Sequence, residues 1–211
     1  MTDKLSLYNG ALLHLDEEPL ASLSETGNKK KKLDAAYDSV FRWCLEQGFW
    51  NFALRAVTLE PSDSLTSEFG YSLVFEKPDD WIRTAAMSAD EYGRIPLLNY
   101  EDRKDYWLAD IEPIYLWYVS NDADYGADLG KWPESYVNFF QYALAHRICG
   151  AVTGGQSRKQ ELLEMMMRAK RDASNKDGMN QPATRFPPSG RLVASRGGSG
   201  LGSREGRYRA G

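Results

Sequence analysis

Acidic side chains are the residues of this sequence with the most obvious potential for chemistry. Two carboxyl groups can hydrolyse a glycosidic bond when they lie about 5 to 10 Å apart in a cleft and one has a raised pKa. Acids in loops more often form turns or face solvent. Glycoside hydrolysis is therefore an alternative interpretation, to be weighed against a structural one. The candidate acids of the predicted loops are Asp79, Asp80, Glu101, Asp102, Asp122, Asp124 and Asp128.

Metal and nucleophile chemistry has little support in the sequence. Asp122 and Asp124 alternate as calcium ligands do, but the downstream glutamate of an EF-hand loop is absent. The two histidines, at positions 14 and 146, stand at no metal-ligand spacing and beside no candidate nucleophile. Cys44 and Cys149 fall on apolar helix faces, which predicts buried, reduced thiols. We therefore expect a protein that is not an enzyme, with no catalytic residue, no metal site and no cofactor.

Two short segments could contact another subunit or a channel. One is a run of four lysines predicted just before the second helix, where positive charge opposes the helix dipole. A solvated loop explains this run, and contact with an acidic neighbour or nucleic acid is the alternative. The other is a methionine-rich helix edge, which suits either a core or a subunit interface. The residues are Lys29, Lys30, Lys31, Lys32, Met165, Met166 and Met167.

The C-terminal segment, residues 177–211, is rich in glycine, proline, serine and arginine and has no helical or strand period. Six arginines and one glutamate from Gly178 onward give it a charge of +5. Because the whole chain carries −4, residues 1–177 carry −9. Alone it cannot bury enough surface to fold, so we expect it to become ordered on a partner. Binding of nucleic acid through this tail is a further alternative. Its candidate contact residues are Arg185, Phe186, Arg191, Leu192, Arg196, Arg204, Arg207, Tyr208 and Arg209.

Hydrophobic periodicity predicts four helices. The first begins after Thr2 or Asp3 as N-cap, and the second carries an apolar stripe from Leu33 to Leu45. A third opens at Pro133 and is ended by Gly154 and Gly155. A fourth opens with Ser157 as N-cap of a capping box with Gln160. Its apolar line is Leu162, Met166, Ala169 and Ala173.

Between residues 53 and 120 the period changes to that of short strands. Five β-branched or aromatic runs, separated by Pro, Asp and Asn, predict one small antiparallel sheet with a long excursion near residues 89–105. A ring cluster at Phe49, Trp50 and Phe52 is predicted to be core. The fold class is therefore α+β: a helical bundle body (residues 1–52 and 121–176) with an inserted small antiparallel β-sheet subdomain (53–120) and an extended tail (177–211).

Three segments carry a resemblance to a known family. They are "WNFALRAVTLE" at 50–60, "EPIYLWYVSND" at 112–122 and "WPESYVNFFQYALAHRI" at 132–148. With the order helix pair, small sheet, long helix, second helix and loose basic extension, the chain resembles the head-to-tail adaptor of short-tailed bacteriophages, also called tail tubular protein A. The resemblance covers essentially the whole chain and is strongest at residues 49–59 and 112–152.

The resemblance implies a structural virion protein of the neck and tail, assembled in the host bacterial cytoplasm. It implies a homo-oligomeric ring of twelve subunits between the portal protein and the tail nozzle protein, with the C-terminal extension gripping the portal. Double-stranded DNA would pass through the channel without specific binding, which an acidic body favours. No run approaches about 18 apolar residues, so no membrane segment is expected.

Overall fold

The computed structural model describes residues 2–67, 69–152 and 156–180, and it has the predicted α+β fold. The helices are α1 (Lys4–Leu13), α2 (Asn28–Glu46), α3 (Glu134–Val152) and α4 (Gln156–Met179). The strands are β1 (Leu54–Leu59), β2 (Leu73–Glu76), β3 (Trp81–Ser88), β4 (Glu101–Asp102), β5 (Tyr106–Ala109) and β6 (Ile114–Ser120). Short 3₁₀ turns at Asn51–Ala53 and Leu129–Lys131 precede β1 and α3.

Helix α3 is the centre of the helical body, because buried side chains occur on nearly every side of it. Helices α1 and α2 pack on α3, and one hydrophobic core joins residues from all four helices. Rings fill much of this core: Tyr136 has edge contacts with Trp50, Phe52 and Trp132, at centroid distances of 4.9, 4.7 and 4.8 Å. Such contacts contribute about 0.5–1.5 kcal/mol per pair beyond burial, so they fix α3 against the α2–β1 connection.

The predicted N-cap of α1 and the predicted apolar line of α4 are both present. Asp3 is the N-cap of α1, where its carboxylate accepts from the Ser6 amide and the Ser6 hydroxyl accepts from the Asp3 amide. The predicted apolar line of α4 is confirmed at every position, because the side chains are buried at 3, 5, 7 and 1% exposure. They are Leu162, Met166, Ala169 and Ala173.

The strands form two antiparallel sheets instead of the single predicted one. The first has the order β1-β6-β3, with Leu54 opposite Val119 and Leu59 opposite Ile114, and the second has the order β2-β5-β4. The central strand β6 pairs along both of its edges with β1 and β3, while β2 and β5 pair with each other. The predicted excursion at 89–105 contains β4, which extends the second sheet.

Strand β6 joins the sheet core to the helical core. Ile114, Leu116 and Tyr118 are buried in a cluster with Phe75 and Trp107, whereas Val119 belongs to the cluster of the helical body. The seven residues of β6 therefore run from one core into the other, and the turn after Ser120 leads back to α3.

Several predicted boundaries differ from the structure. The four lysines lie inside the first turn of α2, because Gly27 is the N-cap. Ser157 lies in the first turn of α4 and is not its N-cap, while the predicted stop at Gly154 and Gly155 lies outside the described residues. Helix α4 also runs past Asp177, which was predicted to begin the tail.

Contacts that sequence patterns do not reveal explain one of these differences and one exposed ring. The Asp177 carboxylate accepts the Asn51 amide at 3.1 and 3.2 Å, and its carbonyl accepts Asn51 Nδ2 at 2.8 Å, which holds the last turn of α4. Trp50 takes the buried site at the end of α2, its Nε1 donating to the Cys44 carbonyl at 3.0 Å. Phe49 is therefore exposed, contrary to the prediction, and the Arg83 guanidinium lies 4.2 Å from its ring centre.

Candidate interaction surfaces

A groove of about 400 Å³ lies between three helices and is the clearest concave surface of the helical body. We call it the helical groove. Helices α2, α3 and α4 all contribute lining side chains, among which Ala143 of α3 is the smallest. The groove is lined by Ser39, Val40, Trp43, Ala143, His146, Arg147, Leu163 and Met166. Mostly apolar grooves with a few polar groups are typical binding surfaces.

Positive charge lies beside His146 of the helical groove. Burial lowers the pKa of His146, and the nearby Lys159 and Arg147 lower it further, so the ring is held neutral between two cations. Within the part of the chain that the structure describes, neither Arg147 nor Lys159 forms an ion pair. The groove therefore favours an apolar partner that carries an acid.

The three predicted contact methionines are divided between the core and the surface. Met166 is buried in the helical core and also lines the helical groove. Met165 and Met167 lie on the two flanks of Met166, about 100° away around α4, and are exposed, where they are available to a partner. The core interpretation of the methionine-rich edge thus applies to Met166, and the interface interpretation applies to Met165 and Met167.

Three of the four predicted contact lysines have partners within the chain. Lys29 pairs with Glu17 at 2.6 Å, and Lys30 pairs with Asp34 one turn further along α2. The Lys32 ammonium donates to the Ala151 carbonyl near the C-terminal end of α3, where a cation is favoured by the helix dipole. Lys31 alone of the run is exposed, so the run offers a partner less charge than its sequence suggests.

A rigid loop with an apolar tip follows strand β3, at residues 89–98, and we call it the apolar loop. The Asp90 carboxylate accepts from the Ser88 hydroxyl at 2.6 Å and from the Ile95 amide at 2.7 Å, and the Ala89 amide donates to the Ile95 carbonyl at 2.9 Å. Gly93 has a φ of +69° and packs on the Trp117 ring, so any residue with a side chain would be strained at this position.

Three large apolar side chains of the apolar loop face solvent although its backbone is fixed. Tyr92, Ile95 and Leu98 are 69, 60 and 83% exposed. The acid Glu91, also exposed, precedes the Tyr92 ring, and the Arg94 guanidinium lies 5.1 Å from its centre. Clustered exposed apolar side chains mark interaction sites. Sequence reasoning missed this loop and Trp43 of the groove; the available signal was a turn sequence, Asp90 to Gly93, followed directly by apolar residues.

Asp80 has the most hydrogen bonds of the candidate catalytic acids, and they suit a structural role. Its side chain, 16% exposed, accepts from Arg55 Nη1 at 2.9 Å, from the Tyr118 hydroxyl at 2.9 Å and from the Ser120 hydroxyl. Burial alone would raise the pKa of Asp80, but the hydrogen bonds from Ser120, Tyr118 and Arg55 outweigh it and lower the pKa. A lowered pKa keeps the carboxylate ionised, which is opposite to what a general acid needs.

The other candidate acids are spread over separate turns and ion pairs. Asp102 pairs with Lys77 at 2.6 Å and Glu101 with Arg103 at 2.7 Å. Asp122 accepts the Asp124 amide at 2.9 Å and Asp128 accepts the Gly130 amide at 3.0 Å, the usual role of aspartate in turns. Across residues 2–67, 69–152 and 156–180, no three His, Cys, Asp or Glu side chains are grouped to hold a metal ion.

The remaining reactive side chains lie in packed surroundings. Cys44 and Cys149 are both buried, and burial raises the pKa of the Cys44 thiol. The His14 ring stacks on Tyr142 at 3.8 Å, with its Nε2 buried and without a hydrogen-bond partner among the described residues. Burial, and then the charge of Arg158, lower the pKa of His14.

The predicted contact residues of the tail lie outside the described residues. They are Arg185, Phe186, Arg191, Leu192, Arg196, Arg204, Arg207, Tyr208 and Arg209. Their role stays a prediction from composition and charge.

Comparison with known proteins gives no match to a protein-family model or to a curated protein sequence. Among the helices that the structure describes, none has the length and apolar character required to cross a lipid bilayer.

Proposed function

We propose that the chain is a structural virion protein, the subunit of a head-to-tail adaptor ring that joins the portal to the tail nozzle of a short-tailed bacteriophage. The observation that carries the proposal is the order of the elements. Helices from both ends of the described chain share one core around α3, and the two small sheets are inserted between them. The resemblance at residues 49–59 and 112–152 leads to the same expectation of a helical ring body with an inserted sheet.

The surfaces of the described residues suit a protein that assembles. A ring subunit must contact a neighbour on each side through surfaces that hold their shape. The helical groove and the apolar loop are two such surfaces, one concave and one projecting, and Met165 and Met167 add exposed apolar area. Large exposed apolar side chains of this kind are enriched where proteins bind one another.

The charge of the chain suits a DNA channel that does not bind its cargo. Residues 1–177 carry −9, and like charge repels the phosphate backbone, so duplex DNA can pass without adhering. The arginine-rich tail, at +5, would instead extend towards the portal. In this proposal the ring is a dodecamer that contacts the portal and nozzle proteins. Duplex DNA passes through its channel without specific binding.

Portal binding by a truncated chain tests the proposal. A chain ending at Asn180 retains all of α4 and its contact with Asn51, and it lacks only residues 181–211. We expect the full chain to co-sediment with the portal and the truncated chain to lose this binding. Both should bind duplex DNA weakly at physiological salt. Tight DNA binding with a steep salt dependence that disappears on truncation would contradict the proposal and favour a nucleic-acid-binding module.

Zymography on peptidoglycan tests the enzymatic alternative separately. The hydrogen bonds of Asp80, Asp102, Asp122 and Asp128 favour structural roles for these acids, and we expect no clearing zone. Clearing by the wild-type chain that is lost when one of these acids becomes its amide would contradict the non-enzymatic proposal.

A further inference from the structure

We infer that the apolar loop of one copy of the chain inserts into the helical groove of a second copy. The inference rests on the proposed function, because it names the two surfaces through which subunits of a ring would join. Both surfaces lie within residues 39–166, so each copy has one of each to offer.

Shape and polarity of the two surfaces are complementary. The loop projects an aromatic ring at Tyr92 and aliphatic side chains at Ile95 and Leu98. The groove is lined by the small Ala143 and by larger apolar side chains that include Trp43. A single ring with an aliphatic neighbour suits a cavity of about 400 Å³, and aromatic anchors in such pockets dominate many interfaces.

The apolar loop is ordered before it binds. Its backbone is held by the Asp90 carboxylate and by the bond from the Ala89 amide to the Ile95 carbonyl. A fixed loop loses little conformational entropy on docking, so more of the contact energy appears as affinity. The structure therefore presents the exposed side chains as a preorganised anchor.

Charge bears on the same pairing. Glu91 is exposed beside Tyr92 on the loop, with Arg94 on the other side of that ring, while Arg147 lines the groove and forms no ion pair among the described residues. Docking of Tyr92 with Glu91 towards Arg147 and Arg94 away from it would bring opposite charges together. Rim charges of this kind add little affinity but fix the register of an interface and speed association.

Mixing two complementary variants tests the pairing. The loop variant carries Tyr92→Ser and Leu98→Ser, both at exposed positions, and the groove variant carries Leu163→Asp. Matched controls are Leu13→Ser, an exposed apolar residue of α1, and Arg168→Glu, an exposed charge on α4. Circular dichroism checks that each chain folds, and sedimentation velocity measures assembly.

The expected result is specific to a loop-in-groove contact. Each variant alone should sediment as a monomer where the wild-type chain and both controls assemble. An equal mixture should form only a heterodimer, because one chain keeps an intact loop and the other an intact groove. Monomers in the mixture, or assembly of the loop variant by itself, would overturn the inference, as would a wild-type chain that stays monomeric at about 100 μM.

Charge reversal provides a second test that does not depend on the buried part of the groove. Glu91→Lys and Arg147→Glu, both exposed, should each weaken assembly by about tenfold, and the two variants mixed should recover affinity. A mixture that assembles as weakly as either variant alone would overturn the inference.

The two proposals fail in different ways. Rings that form normally from both variants would overturn the pairing and leave the adaptor function intact. A closed wild-type dimer that either variant abolishes would support the pairing and contradict the ring.

Discussion

Replacing Asp80 with alanine should destabilise the protein far more than replacing Asp79 beside it. Asp80 accepts from Tyr118 and Ser120, both at 0% exposure, and alanine would leave these two buried hydroxyls without their acceptor. Each such loss costs about 1–3 kcal/mol, which gives about 2–6 kcal/mol for the pair. Arg55 adds little, because its side chain is 34% exposed and surface ion pairs contribute about 0–1 kcal/mol.

Urea denaturation followed by tryptophan fluorescence measures this difference directly. The Asp79→Ala variant is the control, because Asp79 is exposed and such changes stay within about 0.5 kcal/mol. A free energy of unfolding for Asp80→Ala within about 0.5 kcal/mol of the control would refute the structural role of this carboxylate. Loss of a peptidoglycan-degrading activity at unchanged stability would point instead to catalysis.

The same network predicts a pH dependence. Because hydrogen bonds hold the pKa of Asp80 below its usual value, its stabilisation is complete above about pH 3.9 and is lost as pH falls further. The Asp80→Ala variant should lack this component of acid denaturation, whereas Asp79→Ala should retain it.

Three further predictions concern the helical body. Leu162→Ala should cost about 2–5 kcal/mol and Met165→Ala less than about 0.5, measured by urea denaturation, and equal losses would mean that the burial pattern of α4 is wrong. Gly126→Ala should lower the thermal midpoint of unfolding, since a Cβ there would lie 2.2 Å from a backbone oxygen. Gly150→Ala, where a Cβ would meet no described atom within 4 Å, should raise the free energy of unfolding by about 0.5–1 kcal/mol. Stability changes of the same sign for both variants would contradict the packing. Because the pKa of His14 is lowered in the folded chain, the unfolded chain takes up a proton first as the pH falls, and stability decreases below about pH 6.5. His14→Phe should reduce this loss of stability. An unchanged dependence of stability on pH would contradict the buried neutral ring.

Local patterns were sufficient to predict most elements. The line from Leu162 to Ala173 is buried as predicted, because a helix placed on a core has a fixed period of 3.6 residues. The five predicted strand runs are all strands, because β-branched and aromatic residues between turn signals leave few other conformations. These features depend on residues close together in the chain, and their spacing can be read directly from a single sequence.

Features that depend on distant residues could not be predicted. The division into two sheets depends on which strands pair, β6 with β1 and β3, and β5 with β2 and β4, and no residue within these strands signals the choice. Lys32 reaches Ala151 and Asp177 reaches Asn51 across more than 100 residues, so the ends of α2 and α4 were misplaced. The helical groove likewise combines Trp43, Ala143 and Leu163 from three helices, and only the folded chain brings them together.

Cryo-electron microscopy of the full chain mixed with the portal of the same virion tests the central claim most directly. The adaptor proposal predicts a closed ring of this chain on one end of the portal, with a continuous axial channel and residues 181–211 in contact with the portal. A chain that remains a free monomer or a closed dimer beside an unoccupied portal would contradict it.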